Sequence, residues 1–132
     1  MALRRKIYSV LFYWAPPFLW MLFIFSLSSN QSVSVTHTYL YDFFIFKTLH
    51  MIEYAILFFL VFRAFHSLRY STELSSLLSV LWSVMFATTD EVHQLFVATR
   101  QGRIRDIFID LAGIIIMYIV VKKYIKLFKR VL

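Results

Sequence analysis

The sequence predicts an all-α fold, a transmembrane bundle of four antiparallel helices, and three observations predict it. Hydrophobic residues make up 61% of the 132 positions and aromatics 20%. That is more apolar surface than a soluble domain of this length can cover, since globular chains run nearer half apolar. The apolar residues fall into four segments, and the basic residues that carry the formal charge of +7 flank those segments. Flanking Lys and Arg are how membrane proteins mark topology, so no nucleic-acid partner is expected. The chain reads as one domain over 1–132.

The first segment runs from about 8 to 27 without a charge, long enough for roughly 30 Å of hydrocarbon at about 1.5 Å per residue. Pro16 and Pro17 lie inside it and are expected to kink or loosen it. Arg4, Arg5 and Lys6, followed later by Ser26-Leu27-Ser28, imitate a secretory leader. The apolar stretch is too long for such a leader, so an uncleaved first helix is expected. The second segment covers about 47–62, the third 74–96 and the fourth 104–121, and each carries ionisable residues near one end. The chain shows no repeat, low-complexity tract or soluble linker.

Orientation follows from the basic residues. With the N-terminus inside, the inner side holds Arg4, Arg5, Lys6, Arg63, Arg69, Lys122, Lys123, Lys126, Lys129 and Arg130. The outer side holds Lys47, Arg100, Arg103 and Arg105. This bias places both termini in the cytoplasm. Of the acids only Glu73 then lies inside; Asp42, Glu53, Asp90, Glu91, Asp106 and Asp110 lie outside or in the outer half.

That topology gathers three polar groups at the outer end: Lys47, His50, Glu53 and Tyr54 from the second helix, Asp90, Glu91, His93 and Gln94 from the third, and Asp106 and Asp110 from the fourth. Counting helical rise from the inner boundary puts Asp110 at roughly 16 Å and Glu53 at roughly 15 Å, near mid-membrane. A bare carboxylate there costs about 2.5–3.5 kcal/mol, so each is expected to face the bundle interior with a partner. Spacing permits it. Lys47, His50 and Tyr54 form one stripe; Asp106, Asp110 and Gly113 form another, with Gly113 allowing close helix approach.

A single polar residue in such a helix, Tyr54 or Gln94 for example, is adequately explained by interhelical hydrogen bonding. The whole set is not, because packing does not require so many acids, histidines and cations at one end of a small bundle. Cysteine is absent, which removes thiolate chemistry and cysteine metal sites. His50-x-x-Glu53 and Asp90-x-x-His93 are i, i+3 pairs that can chelate, but such pairs are common by chance. No metal or other cofactor is expected.

The strings KTLHMIEYAIL (47–57), DEVHQLF (90–96) and RQGRIRDIFIDLAG (100–113), with FSLSSNQS (25–32) before them, resemble the VanZ-like family of small bacterial membrane proteins. The resemblance spans most of the chain. It implies that the characteristic polar positions are Lys47, His50, Tyr54, Asp90, Glu91, His93, Gln94, Arg100, Asp106, Asp110 and Gly113. Ala98-Thr99 stands where members often have Pro-Gly, and Phe46 where they often have a polar residue. The namesake is associated with resistance to the lipid-bearing glycopeptide teicoplanin, which implies a place in the bacterial inner membrane and an envelope role.

Two functions compete. One is an outer-facing pocket that binds an anionic lipid headgroup, a lipid-linked envelope precursor or a lipophilic glycopeptide through Lys47, His50, Glu53, Tyr54, Gln94, Arg100, Asp106 and Asp110, since arginine suits phosphate and carboxylate in forked geometry. The other is an intramembrane hydrolase or transferase acting on a lipid phosphate or lipid-linked substrate, with His93 as base, Asp90 orienting it, Glu91 a further acid and Arg100 stabilising negative charge. No GxSxG elbow announces a nucleophile. A structural partner or an ion pathway is the remaining reading.

Overall fold

Helix formation follows the apolar segments and outruns them at several ends. In the computed structural model, which describes residues 2–30, 38–97 and 103–128, the elements are α1 (Ala2–Ser29), α2 (Tyr39–Ser67), α3 (Thr72–Gln94) and α4 (Ile104–Phe128). They pack as an all-α four-helix bundle. Helix α1 passes through Pro16 and Pro17 as one continuous helix. It is the outlying member, packing on α2 and α3, whereas α2 and α4 share the most extensive interface.

Helix α2 begins at Tyr39, eight residues before Lys47. A charge marks a preferred depth in a membrane, not a limit to backbone hydrogen bonding, and Asp42 in the first turn favours the positive end of the helix dipole. The turn into α3 is tight. Arg69 takes a positive φ of 66° just past the end of α2, a conformation that favours glycine. Ser71 then caps α3 by accepting from the Leu74 backbone N–H at 3.1 Å. Helix α4 departs from helical geometry at Tyr124, within the basic stretch that follows the apolar segment.

Helix α3 is polar inside and apolar outside. Ser75, Ser79, Ser83 and Ala87 bury a stripe at i, i+4 spacing, which Asp90, Glu91 and Gln94 continue, while Leu74, Leu77, Leu81, Met85 and Val92 are exposed. Water would impose the reverse arrangement; hydrocarbon permits this one, because small residues there bring helices close and polar groups bond across them. The apolar core lies between α2 and α4, with Tyr54, Leu57, Phe58, Val61 and Phe62 against Ile114 and Val121. Gly113 faces the Met51 carbonyl so closely that a Cβ would overlap it. Among the described residues two spans, Tyr8–Ser29 and Leu40–Ser67, are long and apolar enough to cross a membrane.

Candidate functional site

The C-terminal ends of α1 and α3 and the N-terminal ends of α2 and α4 meet at one end of the bundle, and the predicted polar residues meet there with them. Lys47 Nζ on α2 lies 2.5 Å from Asp106 Oδ2 on α4. One turn deeper, His50 Nδ1 stands 3.7 Å from Asp110 Oδ1 and 3.8 Å from Glu53 Oε2. These are ion-pair distances, too long for hydrogen bonds. Below them Tyr54 is fully buried. Both predicted stripes therefore face inward, since Asp106, Asp110 and Gly113 are all buried.

Helix α3 supplies the second wall. Asp90 accepts from Ser28 Oγ of α1 at 2.5 Å and from Gln94 Nε2 at 3.1 Å. Glu91 Oε2 accepts the backbone N–H of Arg103 at 2.9 Å, which ties the end of α3 to the entrance of α4. His93 lies against the Phe25 ring, centroids 4.2 Å apart, with Nε2 3.0 Å from Ser29 Oγ. The Ser29 hydroxyl also gives its single proton to the Phe25 carbonyl at 2.6 Å, so in this contact the imidazole N–H donates. A serine nucleophile and histidine base would need the opposite polarity.

Above this acidic floor sits a basic rim. Arg105 is half exposed, with its Nε 3.7 Å from Asp106 Oδ1 and its guanidinium 4.9 Å from the Phe43 ring centroid. Arg103 is exposed beside it. Arg100 lies outside the described residues. The floor is short of donors: among the described residues Asp106 Oδ1, Asp110 Oδ1 and the Tyr54 hydroxyl are buried and find no hydrogen-bond partner. No three metal-ligating side chains of the described residues are gathered to hold a metal ion.

Ser28, Ser29 and Trp20, whose indole N–H donates to the Glu53 carbonyl at 2.9 Å, complete the site and were not among the residues expected to form it. The serine run ending α1 was the available signal. At the other end of the bundle a separate cavity of about 230 Å³ opens between α3 and α4, lined by Thr72, Glu73, Ser76, Val80, Tyr118 and Lys122; it takes no part in the polar constellation. In comparison with known proteins, the family model described as VanZ/LLP1 matches residues 7–129. No curated protein and no solved structure matches the chain.

Proposed function

The chain belongs to the VanZ/LLP1 family, and from that premise we propose that it is a multi-pass bacterial inner-membrane protein, both termini cytoplasmic, whose outer polar pocket binds the anionic group of a membrane lipid or lipid-linked envelope precursor. Lipophilic glycopeptides of the teicoplanin type meet the same surface, and occupancy of the pocket alters susceptibility to them. The observation that carries the binding role is the layering of charge: Lys47 and Arg105 converge on Asp106 at the mouth of a buried acidic floor. Held cations of this kind are preset for phosphate, and the arginine fork adds geometry that a lone ammonium lacks. Exposed Tyr41, Phe44, Ile104 and Phe108 border the same end and suit acyl chains.

The test is lipid retention by the full chain purified from native membranes, quantified by mass spectrometry. Arg103→Gln/Arg105→Gln should lose phosphate-bearing lipid by roughly tenfold, the effect of one or two charge-assisted hydrogen bonds. Lys122→Gln, at the opposite end of the bundle, should lose none. Equal retention by both variants would remove the pocket from the binding role.

Topology is tested separately. The chain has no cysteine, so single cysteines can be read without background. Those at Ser32 and Gln101, outside the described residues and assigned by sequence to the outer loops, should label with an impermeant thiol reagent in intact cells; one at Ser71 should not. The reverse pattern would turn the pocket toward the cytoplasm.

A further inference from the structure

The orphaned atoms of the floor specify their own complement. Asp106 Oδ1 and Asp110 Oδ1 accept no hydrogen bond, their nearest cations Arg105 Nε and His50 Nδ1 each standing 3.7 Å away, and the Tyr54 hydroxyl, 0% exposed, lies in the same acidic surroundings, near Asp90, Asp110, Glu91 and Glu53. Buried polar atoms in this state call for a donor, and buried carboxylates call for a positive one. The Asp106 and Asp110 carboxylates are one helical turn apart, about 6 Å along the axis.

Resting on the pocket's proposed role in binding a lipid phosphate, we propose that its ligand is zwitterionic: a phospholipid whose phosphate engages the Lys47 and Arg105 rim and whose primary ammonium enters the Asp106, Asp110 and Tyr54 floor.

The argument turns on what a phosphate does to the Lys47–Asp106 pair. Lys47 Nζ already lies on Asp106 Oδ2. A ligand that is only anionic draws Lys47 away and leaves a buried carboxylate uncompensated, which opposes binding. A ligand carrying its own ammonium exchanges one ion pair for two: Lys47 moves to the phosphate, and the ligand's ammonium replaces it on Asp106. The net charge of the buried region is unchanged. A primary ammonium also brings N–H donors to a floor where Asp106 Oδ1, Asp110 Oδ1 and the Tyr54 hydroxyl make no hydrogen bond. A quaternary choline headgroup carries the charge without any donor, and glycerol carries donors without the charge.

The experiment presents the full chain in nanodiscs with equal amounts of ethanolamine, choline and glycerol phospholipids of matched acyl chains. The lipids retained after exchange into detergent are counted by mass spectrometry. Wild type should retain the ethanolamine lipid about tenfold over each of the others, as expected for charge-assisted hydrogen bonds made by one headgroup alone. Asp110→Asn should bring the preference close to unity while total phospholipid retention persists. Tyr54→Phe keeps the ring and removes only the hydroxyl, and should lower the preference part of the way; it carries the test should Asp110→Asn not fold. Lys47→Met should lower retention of all three lipids. Phospholipid retained through Lys47 with no headgroup preference, or a preference untouched by both floor variants, overturns the zwitterionic assignment and leaves the rim's role standing. No phospholipid retained by wild type overturns both.

Discussion

Gly113→Ala should unseat α2 from α4 and lower the thermal midpoint of the purified protein, although alanine is the better helix former. The propensity gain is at most about 1 kcal/mol. Against it, the new Cβ would overlap the carbonyl of Met51, and the obstacle is backbone, which cannot rotate aside as a side chain can. Relief requires α2 to shift along the most extensive interface in the bundle, disturbing Tyr54, Leu57, Phe58 and Val61 where they meet Ile114 and Val121. Overpacking of this kind costs about 1–3 kcal/mol, and the small-residue contact is itself what drives helices together in lipid. The expected result is therefore a net loss for alanine and no folded protein for Gly113→Leu. With Trp14 and Trp82 replaced by phenylalanine, Trp20, whose indole donates to the Glu53 carbonyl on α2, provides a fluorescence readout of α2 displacement. Ile116→Ala, on an exposed face of α4, should melt close to wild type. A wild-type midpoint for Gly113→Ala would mean that α2 and α4 are not in this register.

The same glycine shows which parts of the molecule were legible in sequence. Four apolar segments and a 3.6-residue period are local properties, so the helices, the inward stripe Asp106–Asp110–Gly113 and the inward stripe Lys47–His50–Tyr54 could be read directly. The beginning of α2 could not. Lys47 marks the depth at which a charge is comfortable, and α2 starts eight residues before it. The polar lining of α3 was half visible: its carboxylates stood out, but Ser75, Ser79 and Ser83 repeat every four residues and escape a search for apolar periodicity. The apolar segment ends before Ser28 and Ser29, whereas α1 continues through Ser29. Their partners Asp90 and His93 lie more than 60 residues away. A tertiary contact of that span leaves no local trace: the i, i+3 spacing suggests Asp90 as a partner of His93, and it gives no sign of the Ser28 and Gln94 donors that Asp90 accepts from. Orphaned atoms are less legible still, because they are defined by neighbours that fail to arrive.

Lys47→Met should destabilise the fold more than neutralising any other charge at the site, and Asp106→Asn should largely undo the damage without restoring binding. The Lys47–Asp106 pair is four-fifths or more buried on both sides at 2.5 Å. Removing the cation leaves Asp106 with Arg105 alone, whose Nε stands 3.7 Å off at a half-exposed position. A buried carboxylate so exposed to low dielectric costs on the order of 3 kcal/mol. Asp106→Asn by itself should be milder, because a lysine stem can carry its ammonium toward water and an aspartate cannot move comparably. In Lys47→Met/Asp106→Asn no buried charge is stranded, so the double variant should recover most of the stability, with a coupling of about 2 kcal/mol in a double-mutant cycle. Lipid retention should follow a different pattern: lost in Lys47→Met, and still lost in the double variant, where neither the rim cation nor the floor carboxylate remains. Thermal unfolding and lipid retention measured on the same four proteins separate the two roles. Additive stability effects would show that the pair contributes no interaction to the fold. A double variant that is both stable and fully lipid-bound would show that Lys47 holds α2 against α4 and nothing more, and the phosphate contact would then have to rest on the arginines.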